Sequence, residues 1–178
     1  TTWSRGLGDV YKRQDLDQVW WLLTPSNPLK RNDPSPVGER LRVANLLVEH
    51  PKIFATKIEN ELNTVYTSQT LKLIQIRCPN VRFVWLMGAD NMMQFDKWMN
   101  WKEIVYRVPI GILARPDHTL APLKSKLAKA FSSYRLRANQ SRDLGNLKAP
   151  YWCYKNLPLL NVSSVSYTHL RAHETKSY

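Results

Sequence analysis

With 178 residues, 43% of them hydrophobic and 11% aromatic, the chain is long enough to bury the core of one domain. No apolar run approaches the roughly 18–20 residues of a membrane helix, no secretory signal precedes the first predicted strand, and two cysteines, Cys78 and Cys153, without metal-ligand spacing, exclude a disulfide scaffold. A formal charge of +12 calls for an anionic partner, either nucleic acid or a phosphate-rich small molecule in a basic cleft.

The two ends stand apart from everything between them. Ser4–Gln14 reads SRGLGDVYKRQ and Val165–Thr175 reads VSYTHLRAHET, and neither has a hydrophobic period. Both match translations of a transposase-type sequencing adapter, one from each strand of the DNA. Residues 1–14 and 165–178 are therefore expected to be non-native tails around a partial domain spanning 15–164. Arg5, Lys12 and Arg13 against Asp9, and Arg171 and Lys176 against Glu174, leave with the tails, and the remainder keeps a charge of +9. The His169–His173 spacing goes with them as a metal-site signal.

Within the remainder, Leu16 to about Leu23 reads as a buried strand, ending in the Pro- and Asn-rich loop TPSNPLKRNDPSP with Lys30 and Arg31 exposed. Pro36 opens a predicted helix to His50, with Leu41, Ala44, Leu47 and Val48 on one face. Lys52–Ile58 alternates like a strand, Glu59–Val65 turns, and Thr67 is placed to cap a helix TSQTLKLIQIR that stops before Pro79. Val81–Met87 is a second apolar strand, broken at Gly88-Ala89-Asp90 and followed by a short helical stretch crowded with Met, Phe and Trp. Trp101–Tyr106 is a predicted short helix, Val108–Leu113 a strand, Pro122–Tyr134 a basic amphipathic helix and Tyr151–Tyr154 a last strand. Strands alternating with helices predict an α/β, doubly wound parallel sheet, whose strand C-terminal edges are where such sheets bind nucleotides.

The segments WWLLTPSNPLK, VYTSQTL, FVWLMGADNM, FDKWMNW, ILARP and a truncated VSS occur in this order and at fitting spacing. Together they resemble the motifs of bacterial nicotinate-nucleotide adenylyltransferases, over about residues 15–164. The resemblance implies a Rossmann-like nucleotidyltransferase that joins ATP to nicotinate mononucleotide with Mg²⁺, in the cytoplasm, with no nucleic acid or membrane partner. The sequence leaves a homo-oligomer open.

By the same resemblance, Gly88, Asp90, Arg115, Ser163 and Ser164 belong to the ATP side, with Gly88 allowing close approach and Asp90 facing the ribose. Lys30, Tyr66, Thr67, Thr70, Trp98 and Met99 belong to the nicotinate mononucleotide side. There Trp98 would stack on the ring, backbone amides at Thr67 and Met99 would hold its carboxylate, and Lys30 would face phosphate. Each residue also has a plainer role open to it: Asp90 or Thr67 as a helix cap, Trp98 as a core aromatic, Lys30 as a solvated loop lysine.

One part of the family pattern has no counterpart. Its first strand runs into Gly-x-Phe-Asn/Asp-Pro-x-His-x-Gly-His, whose histidines contact ATP phosphates, and no such segment occurs among these residues. No catalytic residue is thus retained, and the implied strand order 3-2-1-4-5 lacks its central member. The expectation is a catalytically silent polypeptide with open strand edges and low stability. Two other functions stay open: adenylyl transfer to nicotinamide mononucleotide or another small molecule, and RNA binding through the basic helix LKSKLAKAFSSYRLR.

Overall fold

The computed structural model describes residues 16–25, 35–48, 50–114 and 121–156. Lys30, Arg115, Ser163, Ser164 and both expected tails lie outside the described residues.

The apolar run after Leu16 forms β1 (Val19–Leu22), which pairs in parallel with β2 (Ile53–Thr56), Val19 opposite Ile53. Between them runs α1 (Val37–Leu47), with Pro36 one residue outside as its N-cap and Ala44 at the centre of its buried face. A short helix α2 (Ile58–Glu61) replaces the turn expected after β2, and α3 (Thr67–Arg77) follows. The second run yields β3 (Trp85–Gly88), then α4 (Ala89–Gln94), a 3₁₀ turn at Phe95–Lys97 and α5 (Trp101–Arg107). β4 (Ile110–Ala114), β5 (Arg135–Leu136) and β6 (Trp152–Asn156) complete the strands among the described residues.

Among the described residues every strand pairing is parallel, and the order is β1-β2 in one piece and β3-β4-β6-β5 in the other. The sequence predicted neither β5, only two residues long, nor the 3₁₀ coil Ala138–Asn146 that lies against β6. β3 starts later than predicted because its only described partner is β4: pairing begins where the Trp85 N–H donates to the Pro109 carbonyl at 2.9 Å, leaving Phe83 and Val84 outside the ladder.

Side chains alternate across the larger sheet. Trp85 and Met87 on β3, with Ile110, Ile112 and Ala114 on β4, face one core together with Leu71, Met92, Phe95, Ile104, Val105, Leu127 and Phe131. Leu86 and Leu113 point the other way and join Val19 and Ile53 in a second cluster under α1. Helical cover on both faces is what an all-parallel sheet requires. This second cluster also links the two sheet pieces, as does the edge-on pair Trp20–Phe83, with centroids 6.1 Å apart. Among the described residues, β1 and β3 each carry one unpaired edge, at the position the expected order assigns to a first strand between them. Trp20 and Phe54 remain exposed at 37% and 46% on that smaller piece.

The basic helix expected over Pro122–Tyr134 is not continuous. It breaks into a 3₁₀ turn (Ala121–Lys124), α6 (Lys126–Ala130) and a second 3₁₀ turn (Ser132–Tyr134). The reason is local: the Ser125 hydroxyl accepts from the Ala128 N–H at 3.3 Å and starts a new helix there, as a serine cap does. Leu127 and Phe131 are buried, and the Phe131 carbonyl accepts the Trp152 indole N–H at 2.7 Å, fastening this segment to β6. A single basic helix face for RNA is therefore absent from the described residues.

Candidate functional site

β3 delivers Gly88 to the C-terminal edge of the sheet, and the chain enters α4 at the next residue. Gly88 is the N-cap with φ −70° and ψ 154°, values any residue adopts. Asp90 is exposed in the first turn of α4, so the cap role open to it in sequence belongs to Gly88 instead. Its negative charge is felt across the edge at Tyr154 on β6. Burial pushes the Tyr154 phenol up, the Arg135 guanidinium opposes this, and Asp90 adds to it. The Tyr154 hydroxyl is buried without a hydrogen-bond partner, and Arg135, Leu136, Arg137 and Tyr154 line an open cavity of about 410 Å³. Sequence reading missed Arg135, because β5 is too short to show a period, and took Tyr154 only as the end of a strand.

The Phe95–Lys97 turn carries the chain from α4 to Trp98. Trp98 is half-buried and meets Phe95 and Trp85 edge-on, with centroids 5.2 and 6.3 Å away. Its main-chain N–H donates to the Phe95 carbonyl at 3.0 Å. Met99 is 49% exposed. Asn100 caps α5 in the left-handed region at φ 54°, which asparagine tolerates better than most side chains. Asp96 accepts Lys126 Nζ of α6 at 2.7 Å; that hydrogen bond holds the half-buried carboxyl below its ordinary range. Phe95 is fully buried, and Trp101, half-buried, packs on Phe131 at 6.1 Å.

α3 packs on α5 through its last turn: Gln75 Nε2 donates to the Arg107 carbonyl at 3.4 Å, and Arg107 NH1 returns to Gln75 Oε1 at 3.2 Å. Tyr66, not Thr67, is the N-cap, in extended conformation and with no side-chain cap bond. The Tyr66 carbonyl accepts from the Gln69 and Thr70 N–H groups, each at 3.0 Å. Thr67 is the first helical residue, and helix geometry gives its N–H and that of Ser68 no partner within the helix. Thr70 is fully buried and its hydroxyl points into a polar network with Thr64 and Glu59 rather than to the surface. Gly88, Asp90, Trp98 and Met99 thus share one continuous stretch from β3 to α5, while Tyr66, Thr67 and Thr70 form the first turn of a helix packed on α5.

Among the described residues no group of three or more His, Cys, Asp or Glu side chains is placed to hold a metal ion. Nor is any described helix long and apolar enough to cross a membrane.

The chain is similar to proteins of known family over most of its length. The family model Cytidylyltransferase-like matches residues 11–142. A probable nicotinate-nucleotide adenylyltransferase of Ruegeria sp. (strain TM1040) is 46% identical over 153 residues, covering 86% of this chain and 81% of the relative. A protein of the same name from Cereibacter sphaeroides is 44% identical over 164 residues, 92% of this chain and 85% of that one. A solved structure of Plasmodium falciparum nicotinic acid mononucleotide adenylyltransferase complexed with NaAD superposes with a TM-score of 0.58 at 16% identity, covering 98% of this chain and 78% of that one, and shares the fold. With a doubly wound parallel sheet, a Gly-Ala-Asp edge and this degree of identity, the chain belongs to the nicotinate-nucleotide adenylyltransferases, within the cytidylyltransferase-like family.

Proposed function

We propose that the enzyme represented by this chain transfers AMP from ATP to nicotinate mononucleotide, giving nicotinate adenine dinucleotide and pyrophosphate. The observation that carries this is the single stretch from Gly88 to Met99, which sets an exposed carboxylate at the sheet edge and a half-buried indole one helix and one turn later. An ionised carboxylate only accepts hydrogen bonds, which suits Asp90 to ribose hydroxyls. Gly88 adds no side chain between the sheet edge and the nucleotide. The partly open Trp98 ring offers a face for the nicotinate ring. Amides at Thr67 and Met99 favour an anion, and thus the acid over the amide substrate. Tyr66 and Thr70 support that turn, Lys30 neutralises mononucleotide phosphate, and Arg115, Ser163 and Ser164 serve the ATP phosphates.

The reaction is an in-line attack by a mononucleotide phosphate oxygen on the α-phosphorus of ATP. One P–O bond forms, the bond to the β-phosphate breaks, and pyrophosphate leaves. Such a step depends on positioning and on charge neutralisation. Mg²⁺ arrives on the ATP phosphates as part of the substrate. The reaction belongs to the cytoplasm and needs neither nucleic acid nor membrane.

The chain as given has no His-x-Gly-His segment. With the amides at Thr67 and Met99 it should bind nicotinate mononucleotide in preference to nicotinamide mononucleotide by about ten-fold or more, the scale of one charge-assisted hydrogen bond, and without those histidines it should release no pyrophosphate. Tighter binding of the amide would transfer the assignment to nicotinamide mononucleotide, and pyrophosphate release from residues 1–178 would overturn the expected silence.

A further inference from the structure

Glu59, on α2, is only 3% exposed, although no cation is paired with it among the described hydrogen bonds and ion pairs. Hydroxyls surround it instead. The Thr70 hydroxyl lies 3.4 Å from Glu59 Oε1, 2.8 Å from the Thr64 hydroxyl and 3.2 Å from the Tyr66 carbonyl. Thr64 closes the ring by donating its N–H to the Glu59 main-chain carbonyl at 2.9 Å. A threonine hydroxyl has one proton to give, so an acceptor-only group beside it decides where that proton points. The Thr24 side chain, just past β1, approaches the same carboxyl, and the Thr24 carbonyl accepts Arg40 of α1 at 2.5 Å. Glu59 Oε2 is buried with no hydrogen bond of good geometry.

A buried carboxyl left half-satisfied is a costly way to fill space, since an apolar side chain would pack there without losing hydration. What it adds is direction. Through Thr70 it reaches the residue whose hydroxyl also meets the carbonyl that starts α3, and through Thr24 it reaches the end of β1.

We propose that Glu59 is a positioning residue for the mononucleotide site, holding the first turn of α3 (Tyr66–Thr70) against the C-terminal end of β1. The proposal rests on the assignment of that turn to nicotinate mononucleotide. Glu59 touches no substrate itself.

The test compares Glu59→Leu, Glu59→Gln and Thr64→Val in the full chain, by amide hydrogen exchange without ligand and by separate titrations with nicotinate mononucleotide and ATP. Losing a buried hydrogen bond predicts exchange about ten-fold faster at residues 66–70 in Glu59→Leu, with β4 unchanged. Nicotinate mononucleotide should bind about ten-fold more weakly, with ATP affinity held within about two-fold. Glu59→Gln keeps an acceptor oxygen and should recover both to within about three-fold, whereas Thr64→Val should shift both in the same direction as Glu59→Leu. Should Glu59→Leu fail to fold, the Thr64→Val and Glu59→Gln pair decides alone. Unchanged exchange at 66–70, or equal weakening of both ligands, overturns the proposal. If the unaltered chain binds ATP but not nicotinate mononucleotide while exchange responds as expected, the substrate assignment falls and the positioning role stands.

Discussion

Lys126 reaches from α6 to within 2.7 Å of the Asp96 carboxylate and so ties the turn that leads to Trp98 onto a separate helix. Lys126 is 74% exposed and Asp96 16%, so the pair sits at the rim rather than in the core. Exposed pairs are weak. Lys126→Met should therefore weaken nicotinate mononucleotide binding by only about two- to five-fold, and raising the salt concentration should bring the unaltered chain toward the variant. Because the partner lowers the Asp96 pKa, its contribution is present above the ordinary carboxylate range and lost as pH falls through the depressed value. Titrations in low and high salt check this; identical binding by the two proteins at low salt would remove Asp96–Lys126 from the site.

Trp98 separates the stacking role from the packing role. Phe95 and Trp85 approach it only edge-on, and it remains half-buried. Trp98→Phe should keep most of the packing and a stacking face, and lose about three- to ten-fold in nicotinate mononucleotide affinity. Trp98→Ala should abolish measurable binding and also lower stability by about 2–4 kcal/mol, less than a fully buried tryptophan costs. Fluorescence titration beside chemical denaturation distinguishes the two losses, and an alanine variant that still binds tightly would return Trp98 to a purely structural role.

The Glu59 carboxyl gives a pH signature. Burial raises its pKa above the ordinary 4.5, with the Thr24 and Thr70 hydroxyls opposing the shift. The folded state thus holds the proton more tightly than the unfolded chain does. Its contribution to stability is fully present below about the ordinary value and is lost as pH rises through the raised one. Glu59→Gln carries no such titration, so it should gain stability relative to the unaltered chain as pH rises from the ordinary 4.5 through the raised value. Urea unfolding at several pH values measures the difference; a gap that stays constant with pH would contradict the raised pKa.

The two thiols should react on different timescales. Cys153 is fully buried on β6, and burial pushes its thiol up to about 11, while Cys78 is half-buried at the end of α3. At pH 8 only about one Cys153 in a thousand is the reactive thiolate, before access is counted. One equivalent of a thiol reagent should be consumed under native conditions, at Cys78, and the second only as the sheet opens. Equal labelling of both by peptide mapping would mean that β6 is not packed as described.

Much of this protein was legible in its residues. The period and length of LDQVWWLL, KIFAT and ILA marked strands, and TSQTLKLIQIR matched α3 to its last residue, because propensity and burial agree there. The family was readable too, since six short motifs in order constrain far more than any one of them. What misled was chemistry that acts over one or two residues. Ser125 turned one expected helix into three pieces, and Tyr66 and Gly88 took the cap positions that Thr67 and Asp90 were also suited to fill.

The sequence by itself determined the family, the parallel alternation of strands and helices, and which residue types were on offer at the Gly-Ala-Asp edge and the Trp98 turn. Those follow from local periodicity and from motifs, which are properties of neighbours along the chain. Only the tertiary structure decided that Asp90 and Arg135 both act on Tyr154, and that Thr70 turns inward to Glu59 rather than outward. It alone showed the parallel sheet divided in two, with β1 and β3 each open on one edge among the described residues. Such relations depend on which distant segments share a sheet edge or a buried pocket. Hydrogen-bond direction and burial there are set by packing in three dimensions, so no pattern along the chain carries them.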